Sequence, residues 1–141
     1  NRAFMLKLES DVHHTARANP NGFIVRLHIL GDFESIEYVI FWERMLILYP
    51  HMTIYGYTRN HIDSKYKHIR GIAKELTRIR SKYSDRFAVR FSNKLDENFS
   101  ANSEEITSEG ITCLAQVNEN ISCSACTLCW SSKKPIRFLT H

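Results

Sequence analysis

Between Phe23 and Ser92 the chain switches repeatedly between two hydrophobic periods, and this alternation restricts the fold more than any other feature. The run "FIVRLHIL" is dense in β-branched and apolar residues and reads as a buried strand that ends at Gly31-Asp32. "SIEYVIFWERMLILYP" opens on Ser35, a side chain suited to capping a helix, and closes at Pro50. Its apolar residues nearly encircle it, so this helix is expected to lie buried between a sheet and another element. "MTIYGYT" reads as a second strand. A helix follows from about Tyr66 to Tyr83, with Ile69, Ile72, Ala73, Leu76 and Ile79 on one face, and "RFAVRFS" is a third strand. Strand, helix, strand, helix, strand predicts parallel neighbours joined by right-handed crossovers. The expected fold class is therefore α/β, a small three-layer or partial-barrel domain with a C-terminal cysteine loop. A full eight-stranded barrel needs far more chain.

The rest of the chain frames this unit. "RAFMLKLESDVHHTARANPNG" reads as a helix stopped by Asn19-Pro20-Asn21-Gly22. After Asn93, "NKLDENFSANSEEITSEG" is polar and acidic, and reads as a loop or short helix; "PIRFLTH" offers a short closing strand. One domain over 1–141 is expected, with 111–141 as its cysteine-bearing segment. With 43% hydrophobic and 24% charged residues the composition is that of a globular chain, not a disordered one. The longest apolar stretch, "YVIFWERMLILY", is broken by Glu43 and Arg44 and is too short to span a bilayer. No secretory signal is visible, so a cytoplasmic location with reduced thiols is expected. The chain starts at Asn1 rather than at a methionine, which leaves room for residues ahead of it.

All four cysteines lie in "TCLAQVNENISCSACTLCW", as Cys113, Cys123, Cys126 and Cys129. Two-residue spacers allow three thiolates to converge on one point, as a cubane iron–sulfur cluster requires, with Cys113 as the fourth ligand. The expected cofactor is a [4Fe–4S] cluster. Zinc is the first alternative, although structural zinc sites usually take their cysteines as two separated pairs. Two disulfides would need an oxidising compartment, and inert buried thiols do not cluster in this way. Leu128 and Trp130 flank the last cysteine and could shield a cluster; Ser122, Ser124 and Thr127 place hydroxyls nearby. Lys133 and Lys134 could offset its negative charge, while ordinary packing or surface roles account for each of these residues equally well.

Gly31-Asp32-Phe33, Tyr55-Gly56-Tyr57-Thr58 and the terminal cysteines followed by Trp130 together resemble a phage protein family known as gene product eighty-eight. The resemblance covers roughly Phe23 to His141. It implies a phage or metagenomic origin, hence a host cytosol as compartment, and a metal cluster, but no settled activity. Members often carry a further cysteine-bearing segment upstream, which this chain lacks.

Beyond the cysteines, parallel sheets bind ligands outside the carboxyl ends of their strands. Those ends hold Asp32, then Arg59 and His61, then Ser92 and Asn93. Asp32 reads first as a helix-start residue holding backbone amides, and second as a general base or cation-binding group. Arg59 and His61 lie in a polar loop that could hold an anionic substrate. His28 falls within the first strand as a hydrogen-bonded core residue or a catalytic candidate; His13 and His14 sit on the first helix, and His141 could fold back towards the cysteines. No hydrolytic zinc motif, nucleophile elbow or phosphate loop is present. The formal charge is +4, and much of it falls on Lys65, Lys67, Arg70, Lys74, Arg78, Arg80, Lys82, Arg86 and Arg90. A solvated helix face explains this stretch better than a nucleic-acid footprint, because Glu75 and Asp85 interrupt it. Three functions follow: a structural or redox iron–sulfur protein working with an unidentified small-molecule substrate or redox partner, a small ester-cleaving hydrolase, or a nucleic-acid-associated phage accessory protein.

Overall fold

The computed structural model describes residues 2–28, 30–94, 100–103 and 110–139. The chain runs α1 (Arg2–Ala18), β1 (Phe23–Leu27), α2 (Ile36–Leu48), β2 (Met52–Thr58), α3 (Lys67–Lys82) and β3 (Phe87–Ser92). It continues through β4 (Ser100–Ser103), β5 (Ile111–Thr112), three single-turn helices, and β6 (Ile136–Phe138). The single turns are α4 (Leu114–Val117), α5 (Cys123–Cys126) and α6 (Leu128–Ser131). The strands form one sheet in the order β1-β2-β3-β4-β6-β5, and every pairing is parallel. The α/β class and the parallel β-α-β-α-β unit are as the sequence predicts.

Period two decides which face of each strand is covered. Leu27, Met52, Ile54, Phe87, Val89 and Phe91 join Val12 of α1, five residues of α2 and four of α3 in one apolar core. Both crossovers step the same way across the sheet, which puts α2 and α3 on a shared face. Ser35 caps α2 as expected, its hydroxyl accepting from the Tyr38 amide at 3.2 Å. The opposite face carries Tyr55, Tyr57, Ala88 and Arg90, and the C-terminal segment covers it: Cys129 and Trp130 pack on Tyr55 and Ala88. Gly56 sits between the two tyrosines because β1 approaches closely there. A Cβ at that position would lie 3.0 Å from the Leu27 carbonyl oxygen and 3.1 Å from the Leu27 Cβ.

Three expectations are corrected. β1 ends at Leu27, so His28 is not a strand residue; its φ of 56° turns the chain out of the sheet. The acidic stretch after Asn93, read as a loop or short helix, contains strand β4, paired on both sides through its backbone. "SANS" carries no apolar alternation that could announce it. The helix-start residue is Ser35, not Asp32. His141 lies outside the described residues.

The basic stretch is largely absorbed into the fold. Arg78 and Lys82 bind Glu43, Arg80 covers the Phe91 ring, Arg70 donates to the Ser64 carbonyl, and Arg86 donates to the carbonyls of Leu46, Tyr49 and Met52. Among the described residues, no helix is long and apolar enough to cross a membrane.

Candidate metal centre

The cysteine segment is held by its own caps and by the sheet beneath it. Cys113 stands at the start of α4, its amide donating to the Arg137 carbonyl at 2.9 Å, so the β5–β6 edge fixes its position. Gly110 allows that edge to form. Its φ is +100°, and a Cβ would lie 2.7 Å from the Pro135 oxygen. Cys123 and Cys126 open and close α5, which Ser122 caps by accepting from the Ala125 amide at 3.3 Å. Thr127 then adopts a left-handed conformation, φ 60°, and swings the chain into α6, which carries Cys129. The hydroxyls expected beside the sulfurs are used differently: Ser122 bonds Ser124, and Thr127 bonds Ser131.

Arg90 ties this segment to the sheet. It is fully buried, and its guanidinium donates to the carbonyls of Cys129 and Lys134 at 2.9 Å each, of Leu128 at 3.2 Å, and of Ser132. One long, rigid fork thus satisfies the carbonyl ends of α6 and the turn after it, where a helix terminus otherwise leaves acceptors unpaired. Burial pulls the Arg90 pKa below its usual value, while the neighbouring Cys129 and Tyr57 act to raise it.

Two tyrosines of β2 face the thiols. The Tyr57 hydroxyl lies 2.7 Å from the Cys129 sulfur, and its ring packs edge-on against Phe138 at 5.4 Å. Tyr55 packs on Trp130 at 4.8 Å. Burial pushes the Tyr57 phenol strongly upward, and the hydrogen bond to Cys129 adds to the shift. Tyr55 is raised too, first by burial and then by the charge of Cys123, with a hydrogen bond to Cys123 as a further cause. The Cys129 thiol is raised by burial; Tyr57 and Arg90 pull it back down, and the charges of Cys113 and Cys123 push it up again. All four are free thiols, Cys123 exposed and the others partly buried. The donor chemistry, four thiols and no oxygen ligand, fits a thiophilic metal or an iron–sulfur cluster. Among the described residues, however, no three Cys, His, Asp or Glu side chains are gathered closely enough to form a coordination sphere as they stand.

The other candidates form a separate construction at the carboxyl ends of β1 and β2. Asp32 Oδ1 accepts from the Phe33 amide at 2.7 Å, the Thr58 hydroxyl at 2.7 Å and the Asn60 side-chain amide at 3.0 Å. Oδ2 accepts from the Arg59 amide at 2.7 Å. Three donors converge on Oδ1 and one on Oδ2, so both carboxylate oxygens are engaged in holding the strand ends. Asn60 is buried and also donates to the Phe33 carbonyl at 3.1 Å. Asp32 does hold backbone amides, but it clamps two strand ends together rather than starting a helix. Arg59 is exposed, and His61 sits 6.4 Å from the Phe91 ring. His28 Nε2 is 3.3 Å from the Tyr38 hydroxyl; burial lowers its pKa, and its Nδ1 is buried with no partner. Among the described residues, no hydrogen bond or ion pair links this clamp to a cysteine.

The three sequence pieces that suggested a family thus take defined places: Gly31-Asp32-Phe33 and Thr58 in the clamp, Tyr55 and Tyr57 under the thiols, and the cysteines above them. A family model described as Gene product 88 matches residues 2–132. The chain belongs to the Gene product 88 family. The match takes in the clamp, both tyrosines, Arg90 and all four cysteines of this family member. No curated protein and no solved structure matches the chain. Arg90 is the residue that sequence reasoning missed, counted there as one cation of a basic run. Period two in "RFAVRFS" puts it opposite Phe87, Val89 and Phe91, but only the covering segment makes that position interior.

Proposed function

We propose that this Gene product 88 member binds one [4Fe–4S] cluster through Cys113, Cys123, Cys126 and Cys129, in a structural or redox role. One observation carries the reading: every cysteine of the chain is a free thiol in one short segment, docked on a sheet face that supplies a phenol at the Cys129 sulfur and a buried cation at the Cys129 carbonyl. The open arrangement of the sulfurs suits a site whose ligands close when metal arrives, so that binding and local ordering are coupled. A bound cluster supplies one-electron transfer, or a cross-link if its potential lies out of reach. The chain's own residues set the conditions. Trp130 and Tyr55 limit water at the sheet side, Arg90 offsets thiolate charge, and the Tyr57 hydroxyl donates to a ligating sulfur. A cluster held by four cysteines suits a reducing cytoplasm, the host's for a phage-encoded chain.

Ester hydrolysis gains no support from the strand ends, because Asp32 uses both oxygens to hold Phe33, Thr58, Arg59 and Asn60 in place. Nucleic-acid binding loses much of its basic surface to Glu43 and to backbone carbonyls. The test is metal and sulfide content after anaerobic purification, for the wild type and for a serine at each cysteine in turn. The reading expects iron and sulfide in the wild type and most of both lost in Cys129→Ser. It fails if the four variants retain the wild-type content, and zinc in place of iron would keep the ligands but replace the cofactor.

A further inference from the structure

We propose that Tyr57 is a positioning residue of the thiol site, fixing Cys129 as the anchored sulfur while Cys123 stays the outer, solvent-facing one. This rests on reading the four thiols as a ligand set, and it assigns them unequal roles.

Cys129 is held at three points. Its sulfur meets the Tyr57 hydroxyl at 2.7 Å, its carbonyl accepts from Arg90 at 2.9 Å, and the next residue, Trp130, packs on Tyr55. Those holding groups are neighbours in the sheet, since Tyr57 pairs with Arg90 and Tyr55 with Ala88 across the β2–β3 ladder. Tyr57 is itself fixed by Phe138 on β6, so its hydroxyl is aimed before any metal arrives. Cys123 has none of this support from the sheet backbone and is exposed. Tyr55 and Tyr57, two positions apart on a strand, are spaced by roughly 6.6 Å. Both project to the same face, but Tyr55 meets the segment through its ring, packed on Trp130.

The chemical consequence is directional. A hydroxyl that donates to a ligating thiolate withdraws electron density from it and favours the reduced, more negative state of the cluster. Removing that donor lowers the reduction potential. Once metal holds the sulfurs, Cys123 is the ligand that solvent or an incoming molecule reaches first.

The experiment uses the full chain in two states. In the reconstituted protein, Tyr57→Phe is expected to lower the potential at unchanged iron content and circular dichroism, with Tyr55→Phe producing a smaller shift. In the metal-free protein, alkylation followed residue by residue is expected to label Cys123 first and Cys129 last. Tyr57→Phe should narrow the gap between Cys129 and Cys126 several-fold, because the untethered sulfur swings outward. An unchanged or raised potential overturns the proposal. So does an unchanged gap, or a rise common to all four thiols, which would reduce Tyr57 to ordinary packing. If the wild type takes up no cluster, the proposed function fails on its own and the alkylation order decides this inference.

Discussion

Replacing Arg90 with methionine keeps an unbranched stem and removes the guanidinium, leaving the carbonyls of Leu128, Cys129, Ser132 and Lys134 without that donor. Hydrogen bonds to a charged group contribute about 1.5–3 kcal/mol each, so four bound the loss at about 6–12 kcal/mol. The segment can escape most of that penalty by undocking and hydrating its carbonyls, which caps the loss at the docking free energy. About 3 kcal/mol or more is the expected global cost, or roughly 10 °C in Tm for a chain of this size. Hydrogen exchange should show where the cost falls: protection lost across Cys123–Phe138 and retained in α2 and α3. Arg86→Met is the control, because Arg86 caps carbonyls of the helix-side core at 3.1, 3.3 and 3.4 Å, and its loss should spare the cysteine segment. If Arg90→Met costs under about 1 kcal/mol and leaves the segment protected, the guanidinium does not dock it and the argument fails.

Gly56→Ala places a methyl 3.0 Å from the Leu27 oxygen at the last pair of the β1–β2 ladder. A loss of about 1–3 kcal/mol in urea unfolding is expected, and a neutral result would mean the strands separate freely. Asp32→Ala removes the acceptor of four donors and should cost about 2–4 kcal/mol while leaving metal content unchanged; loss of metal would join the clamp to the cysteine site. Glu43 is held below its ordinary value of 4.5, chiefly by its hydrogen bond from Arg78 and also by Lys82. Since the folded state binds this proton less readily than the unfolded one, the contribution is complete above about pH 4.5 and disappears as pH falls through the lowered folded value. The stability gap between wild type and Glu43→Gln should therefore close in acid; a gap constant across that range would remove Glu43 from the acid limb.

Much of the architecture was legible because it rests on local periodicity. α2 and α3, the three strands β1, β2 and β3, and the Ser35 cap all follow from patterns confined to short windows. β4 was not legible, since the short stretch Ser-Ala-Asn-Ser shows no apolar alternation and pairs with neighbours 8 and 33 residues away in the chain. The order β4-β6-β5 is likewise a matter of what closes against what, which no window records. At the site, the spacing of the cysteines singled out the segment, but not what lies under it. Alternation in "MTIYGYT" sets Tyr55 and Tyr57 opposite Ile54, so their shared face could have been read. That this face meets sulfur rather than water depends on a chain segment more than 60 residues later. Arg90 was hidden by its company, a cation among cations whose role is decided by carbonyls it meets only in three dimensions.

The central claim is that four thiols hold a cluster, and the visible spectrum of the anaerobically purified chain, with iron and sulfide analysis, tests it most directly. The account predicts a broad absorption near 400 nm, a rough figure for thiolate-to-iron charge transfer, with about four irons and four sulfides per chain. A colourless protein carrying zinc, or no metal at all, would contradict it.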